Sequence, residues 1–156
     1  MIKGQDLAVR IGAGARAVGY VQGSMIGLRY PAAKPVKAFS REELQALAGK
    51  ALVYIPARVR YYAPLVGVDY GRITIRCQRS RWGSCSDKGN LNFNCLLMLL
   101  PAQVIDSVVV HELCHRKHMN HSAAFYAQVK RMFPDYDRCH RWLKENGSAY
   151  LRRLEA

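Results

Sequence analysis

Four of the chain's five histidines lie between His111 and His121, around a single glutamate. The first two histidines have the spacing H-E-x-x-H, formed by His111, Glu112 and His115. Residues four apart on an α-helix lie on the same face, one turn above the other, so both imidazoles would face one point with room for one ion between them. The spacing therefore predicts a helix that presents a metal-binding pair.

A catalytic zinc site usually has three protein ligands and one open position, so this pair needs a third residue. We favour His121, because Asn120 tolerates the left-handed conformation that ends a helix, and a turn there would bring His121 back over the metal. On a continued helix, His118 would lie about 7.5 Å along the axis from the midpoint of the pair, too far to complete a tetrahedron easily. His118 and the distant Glu145 remain as alternatives.

Glu112 lies beside the pair without being a ligand, which suits a general base that takes a proton from water activated by the ion. The structural alternative is a pair of histidines satisfied without a metal, but two imidazoles buried beside a carboxylate would then leave costly polar groups. A closed structural zinc site would need a fourth side-chain ligand, often a thiolate. Cys114 points away from both histidines on a helix, so we expect it to be a packed core thiol.

Length, charge and cysteine content limit the class of protein. A chain of 156 residues is the size of one domain, and we expect a single domain over residues 1–156. Five cysteines without C-x-x-C spacing favour free thiols, and the absence of a secretory signal or a membrane-spanning apolar run leads us to expect a cytoplasmic location. The net charge of +13 would attract anions, so a nucleotide or nucleic acid is a further candidate partner, although scattered basic residues also suit a generally solvated surface.

Helix signals cover much of the chain after residue 40. A capping box formed by Ser40 and Glu43 predicts a helix over residues 41–54, with a second piece reaching residue 62 beyond Pro56. Three further helices are expected, and their signals are Pro101 at the start of the histidine helix, Ser122 for a helix to about Met132, and Pro134 for a helix that Gly147 ends.

Strand signals are weaker. Residues 71–78 alternate in the manner of a strand, and a turn at Asp87 to Gly89 followed by a second strand suggests an antiparallel hairpin. Glycine-rich apolar runs over residues 7–30 predict short strands and turns, and the segment G-A-G-A-R-A there lacks the helix and the acidic residue that a dinucleotide site requires. The expected fold is an α+β domain with a small antiparallel sheet packed on three or four helices.

Six stretches in a fixed order resemble one protein family. They are R-W-G-S-C-S at 81–86, G-N-L-N-F-N at 89–94, L-L-P at 99–101, V-V-V-H-E-L-C-H at 108–115, N-H-S-A-A-F-Y at 120–126 and P-D-Y-D-R-C-H-R-W-L-K-E-N-G at 134–147. Over residues 40–147 the chain closely resembles the YgjP-like family of bacterial metal-dependent hydrolases, which is grouped with zinc metallopeptidases. Residues 1–39 match poorly, so residues 40–147 would form the catalytic core.

The resemblance implies a zincin-like fold whose active-site helix carries H-E-x-x-H. It implies zinc held by His111, His115 and His121, with Glu112 as the catalytic base. Two positions near the expected core depart from the pattern and bear on pocket shape, because many relatives have tryptophan at the positions of Cys95 and Tyr126.

The resemblance also suggests how a substrate would bind. In similar metallopeptidases a strand near the zinc helix pairs its main chain with an extended peptide, and residues 72–78 are the candidate strand here. Arg81 is then the candidate contact to the substrate or the oxyanion, with a structural ion pair as the alternative. Trp82, Tyr136 and Trp142 are expected to be core aromatic residues.

The leading hypothesis is a zinc-dependent peptidase that acts on a peptide or protein without a covalent intermediate. One alternative is hydrolysis of nucleotide phosphoanhydrides, because a metal-activated water also attacks phosphorus and the positive charge would attract nucleotides; no P-loop is present. The other is a non-enzymatic nucleic-acid-binding module. The interleaved arginines and aromatic residues of R-V-R-Y-Y-A-P at 58–64 give it some support, but a helix face is the plainer interpretation of this stretch.

Overall fold

The structure, a computed structural model, describes residues 9–11 and 38–154. This part of the chain forms an α+β fold, as predicted. Its elements in chain order are β1 (Val9–Ile11), α1 (Arg41–Val66), β2 (Ile73–Cys77), β3 (Gly83–Cys85), β4 (Leu91–Asn94), a 3-10 helix (Cys95–Leu99), α2 (Ala102–Cys114), α3 (Ala123–Met132), α4 (Tyr136–Leu151) and a short 3-10 helix (Arg152–Leu154).

The four strands form one mixed sheet in the order β1-β2-β4-β3. β2 pairs in parallel with both β1 and β4, and only β3 and β4 are antiparallel. The predicted antiparallel pairing of residues 71–78 with the strand after the turn is therefore wrong. The physical reason is β3, a three-residue strand between them in sequence, which takes the antiparallel place beside β4 and leaves β2 on its other side.

The turn between β3 and β4 lies where the sequence predicts it. The backbone N–H of Gly89 donates to the Ser86 carbonyl across Asp87 and Lys88 at 2.9 Å. Gly89 has a φ of +88°, which only glycine adopts without strain. The turn residues therefore join two strands of a hairpin, as expected, but the first of those strands is β3.

α1 is a single helix from Arg41 to Val66 and not a helix with a separate second piece. The predicted capping box is confirmed, with Ser40 and Glu43 each accepting from the other's backbone N–H. Pro56 lies inside the helix, where proline costs about 3 kcal/mol. The helix continues because buried side chains on one face pack on both sides of the proline; they are Ala51, Ile55, Val59 and Ala63.

α2 is the central helix of the domain and contacts α1, α3, α4 and β3. Nine of its thirteen residues are buried, which explains why six of the nine residues before His111 are apolar. Arg58 on α1 donates two hydrogen bonds to the Asp106 carboxylate on α2, each 3.0 Å long. This bidentate pair fixes the position of α1 against the helix that carries the histidines.

The last two helices pack against α2. α3 begins after Ser122, whose hydroxyl accepts from the Phe125 N–H at 3.2 Å, and ends at Met132 as predicted. α4 does not end at Gly147 but continues to Leu151. The glycine at this position is explained by packing and not by a helix end. A Cβ at this buried residue would lie only 3.0 Å from the Trp82 indole nitrogen. Gly147 therefore serves a close approach inside the helix and not its termination.

Two expectations concern the N-terminal part of the chain. β1 is one of the short strands expected over residues 7–30, and the rest of that segment, including G-A-G-A-R-A, lies outside the described residues. Within residues 38–154, no helix has an apolar stretch long enough to cross a membrane.

Candidate metal centre

Three histidines from two parts of the chain converge beside the end of α2. His111 lies on the last turn of α2, His115 directly follows that helix, and His121 lies in the connection to α3. One ring nitrogen from each of the three lies within 4.8 Å of the others. The Nε2 atoms of His111 and His121 are 3.3 Å apart. The structure thus brings together all three residues that the sequence analysis named as ligands.

The ring of His115 is oriented by a carbonyl group. Its Nδ1 lies 2.8 Å from the backbone oxygen of His118. A carbonyl only accepts hydrogen bonds, so Nδ1 carries the proton and Nε2 has a free lone pair. His118 therefore contributes its main chain to the site, and its imidazole is not one of the converging groups in the described part of the chain.

The ring of His111 is oriented by a hydroxyl group. Its Nδ1 lies 2.8 Å from the hydroxyl of Tyr136, and that hydroxyl lies 3.4 Å from Nδ1 of His140. With Nδ1 of His111 donating to Tyr136, the tyrosine O–H is free to donate to His140. The Nε2 of His111 then faces His121. Metal-binding histidines commonly have such a partner on the other ring nitrogen.

Phe125 supports all three histidines from one side. Its fully buried ring stacks on His115 with centroids 4.3 Å apart and meets His111 and His121 edge to face at 4.9 and 5.3 Å. Ser122 starts α3 so that Phe125 occupies the first turn. The short segment from His121 to Phe125 therefore supplies both a converging histidine and the aromatic ring that packs against all three histidines.

The surroundings favour neutral imidazoles. Burial, followed by the nearby charges of His115, His121 and His140, lowers the pKa of His111 to about 3. Burial also lowers the pKa of His115. Both imidazoles are therefore neutral near neutral pH, which is the form that binds a metal ion.

Glu112 lies deep in the site, with only 5% of its surface exposed. Burial raises the pKa of its carboxyl from 4.5 to about 8, and the positive charge of Arg81 partly opposes this shift. A Cβ at Gly83 would lie 3.1 Å from Glu112 Oε2, so glycine lets β3 approach the carboxylate closely. The carboxyl is thus held between α2 and the edge of the sheet.

The turn that delivers His121 is not the predicted one. Among the residues that the structure describes, only Gly67 and Gly89 have positive φ, so Asn120 is not left-handed. The chain reverses through bends at Met119 and Asn120 after α2 ends at Cys114. Glu145, considered as an alternative ligand, is exposed on α4 and is not part of the converging group.

The predicted substrate strand is also corrected. β2 lies inside the sheet between β1 and β4, so residues 72–78 do not offer an open edge. β3 is the last strand on the side of α2 among the described residues, and Arg81 lies just before it, exposed at the mouth of the site. The buried Asn94 side chain donates to the carbonyl oxygens of Gln78 and Arg81 and so holds this loop.

Sequence reasoning missed several residues around the histidines. Tyr136 was expected to be a core aromatic residue and is buried, but its hydroxyl contacts His111. Tyr136, His140 and Leu143 have the i, i+4, i+7 spacing of one helix face, and this spacing could have indicated that they share a surface. Phe125 had no such signal, because His121 precedes α3 and does not share a helix face with it. The expected core thiol, Cys114, is fully buried.

The donor set fits zinc. Two nitrogens at Zn–N distances of about 2.0–2.1 Å on a tetrahedral ion are about 3.3 Å apart, the separation observed between His111 and His121. Three imidazoles, with no fourth ligand in the group among the described residues, correspond to a catalytic site with an open position. The observed residues therefore suit an ion that also takes up a water or a substrate.

Two solved structures share the fold. The chain is similar to the metallopeptidase zymogen jannalysin of Methanocaldococcus jannaschii, with 18% identity, a TM-score of 0.52, and coverage of 58% of this chain and 94% of jannalysin. It is also similar to the metallopeptidase zymogen abylysin of Pyrococcus abyssi, with 20% identity, a TM-score of 0.53, and coverage of 65% of this chain and 99% of abylysin. At this identity, the likeness establishes the fold alone.

Sequence comparison establishes the family. No curated protein matches the chain significantly. The model of the YgjP-like family, described as a metallopeptidase domain, matches residues 1–146. The chain therefore belongs to the YgjP-like metallopeptidase family and is a metal-dependent peptidase.

Proposed function

We propose that the chain is a zinc-dependent peptidase in which His111, His115 and His121 hold the ion and Glu112 is the catalytic base. The observation that carries this proposal is the convergence of three imidazole nitrogens within 4.8 Å of one another, in a cleft that Glu112 also lines. Bound zinc supplies a Lewis acid that makes water a nucleophile near neutral pH.

Glu112 would move the proton in this reaction. It takes a proton from the attacking water and passes it to the leaving amine. Its environment supports this role, because burial keeps the pKa of the carboxyl near neutral pH when the metal is absent, and a bound cation would favour the carboxylate form. The group therefore remains able to accept and release a proton in the working pH range.

An extended peptide would bind along β3. The ladder between β3 and β4 includes the bond from Asn94 N–H to the Trp82 carbonyl and the bond from Ser86 N–H to the Asn90 carbonyl. Because alternate residues of a strand point their main-chain groups to opposite sides, those of Gly83 and Cys85 are directed away from β4. These groups are suited to pair with a substrate main chain, and Arg81 at the mouth would contact a substrate carbonyl.

The variant Glu112→Gln tests this proposal. We expect hydrolysis of an unfolded protein to fall by at least about 100-fold, because glutamine cannot accept the proton. Zinc content should remain at one ion per chain, whereas His111→Ala should lose the ion. Full activity in Glu112→Gln, or a zinc content that does not change in His111→Ala, would contradict the proposal.

The same preparations distinguish the alternative substrate class. Release of phosphate or pyrophosphate from nucleoside triphosphates is measured beside protein cleavage, in wild type and Glu112→Gln. We expect protein cleavage to depend on Glu112, and we expect no release of phosphate or pyrophosphate that depends on this residue. The nucleotide or nucleic-acid partner that the charge of +13 suggests stays a prediction, as does the single domain over residues 1–156.

A further inference from the structure

The cleft beside the histidines has two compartments. Four residues line both of them: Arg81, Gly83, His111 and Glu112. The polar compartment, about 230 Å³, is also lined by Ser84, Cys85, His115, Met119 and His121. The apolar compartment, about 250 Å³, is also lined by Trp82, Ser107, Val108, Tyr136, His140 and Leu143. A peptide held beside Glu112 therefore has a separate space next to it that the metal ligands do not fill.

The hydroxyl groups that line the apolar compartment, those of Ser107 and Tyr136, are already bonded within the protein. The Ser107 hydroxyl donates to the Val104 carbonyl at 2.6 Å. The Tyr136 hydroxyl lies between the Nδ1 atoms of His111 and His140. Apart from the residues that it shares with the polar compartment, the surface left for a ligand is mainly the indole of Trp82 and the side chains of Val108 and Leu143. Such a surface favours an apolar group.

One wall of the compartment is held in place by α4. The indole of Trp82 rests on Gly147, where a Cβ would lie 3.0 Å from its Nε1 and 3.2 Å from its Cζ2. The same Cβ would lie 3.1 Å from the Leu143 side chain. A residue larger than glycine would push both groups, so Gly147 sets the width of the compartment.

The volume matches one large side chain. An apolar cavity of about 150 Å³ is large enough to bind benzene, so the 250 Å³ compartment has room for a phenylalanine or leucine side chain. We infer that the apolar compartment binds a large apolar side chain of the substrate, next to the scissile bond, and that Trp82, Val108 and Leu143 determine this specificity. The inference rests on the proposed peptidase function.

Cleavage of a peptide library tests the specificity. With zinc present, we expect large apolar residues to be preferred by about tenfold or more over glycine at one position adjoining the cleaved bond. Leu143→Phe should narrow the compartment and shift the preference towards small side chains. Leu65→Phe is the matched control, because Leu65 is 56% exposed on α1, and it should keep the wild-type profile. Cleavage that depends on Glu112 but shows no side-chain preference would overturn this inference and leave the proposed function standing.

A binding measurement keeps the inference testable without turnover. Glu112→Gln is titrated with N-acetylphenylalanine amide and, separately, with N-acetylglycine amide, while the indole N–H resonance of Trp82 is followed by NMR. We expect the phenylalanine probe alone to shift this resonance, and Leu143→Phe in the same background to weaken its binding by about fivefold or more. Equal responses to both probes, or no response to either, would overturn the inference. Absence of any cleavage by the wild type would overturn the proposed function, whereas unequal responses in this titration would still show that the compartment prefers an apolar side chain.

Discussion

At the scale of single residues, two histidines of the proposed metal site are oriented by groups outside the set of proposed ligands. The His118 carbonyl fixes the proton of His115 on Nδ1. The Tyr136 hydroxyl meets Nδ1 of His111 at 2.8 Å. Both contacts leave Nε2 directed at the common centre, so the rings need little rearrangement when an ion binds. The carbonyl cannot be removed by substitution, but the hydroxyl can.

Replacing Tyr136 with phenylalanine removes that hydroxyl and keeps the ring. We expect affinity for zinc to fall by about 10-fold to 100-fold, because the His111 ring loses its fixed orientation. Competition with a zinc-binding dye measures the affinity. Tyr61→Phe, which removes a tyrosine hydroxyl on the exposed side of α1, is the control and should bind zinc as the wild type does. Equal affinity in the two variants would show that Tyr136 does not position the ligand.

The Glu112 carboxyl links the metal-free fold to pH. Its pKa is about 8 in the folded protein against an ordinary value of 4.5, because burial disfavours the charge. Between these values the folded protein binds a proton that the unfolded chain has released. The contribution of this group to stability is therefore fully present below about pH 4.5 and is lost as the pH rises through about 8.

Replacing Glu112 with glutamine removes this titration. We expect the unfolding free energy of metal-free Glu112→Gln to exceed that of the wild type by a margin that grows between about pH 5 and about pH 8 and reaches at most about 5 kcal/mol. Urea unfolding of both proteins measures the margin, and contributions from the histidines are shared and cancel. A margin that is constant over this range would mean that the carboxyl is not buried as the structure has it.

At the scale of helices and strands, two glycines in helices provide a matched pair. A Cβ at Gly49 on α1 would have no neighbour within 4 Å, whereas one at Gly147 on α4 would press on Trp82 and Leu143. We expect Gly49→Ala to raise the unfolding free energy by about 0.5–1 kcal/mol. Gly147→Ala should gain nothing or lose stability. Urea unfolding of the two variants compares them, and equal gains would contradict the packing of Trp82 on α4.

Local chemistry predicted the boundaries that depend on local hydrogen bonds. Ser40 and Ser122 each cap the helix that follows, and both were recognised because the capping oxygen and its N–H partner are three residues apart. The H-E-x-x-H spacing was informative because its two histidines are four residues apart at the end of one helix, so their relative position depends on local geometry alone. The turn before Gly89 also follows from its own residues.

Features set by distant contacts were not predicted. Pro56 and Gly147 are ordinary signals for the end of a helix, but buried side chains around Pro56 and the Trp82 indole beside Gly147 override them. The parallel pairing of β2 with β4 depends on which strand reaches the sheet edge beside α2. The position of Tyr136 beside His111, 25 residues earlier, likewise depends on how α4 packs against α2.

At the scale of the whole molecule, the site joins parts of the chain that are far apart in sequence. The loop before β3 supplies Arg81 and Trp82, α2 and its following turn supply the histidines and Glu112, and α4 supplies Tyr136. An ion that binds only when these parts are assembled must stabilise the fold, because the unfolded chain has no such centre.

Zinc should therefore raise the stability of the whole domain. At a free concentration 100 times its Kd, we expect zinc to increase the unfolding free energy by about 2.7 kcal/mol, and a chelator to reverse the gain. Unfolding in urea with and without zinc measures the effect. The variant His121→Ala should show much less stabilisation at the same zinc concentration. An equal gain in that variant would place the stabilising ion elsewhere.

The most direct test of the account is anomalous diffraction at the zinc absorption edge from crystals grown with zinc. The account predicts one strong peak about 2.0–2.1 Å from Nε2 of His111, His115 and His121, with the Glu112 carboxyl beside it. A peak bound by other residues, or three imidazoles turned away from one another in crystals saturated with zinc, would contradict it.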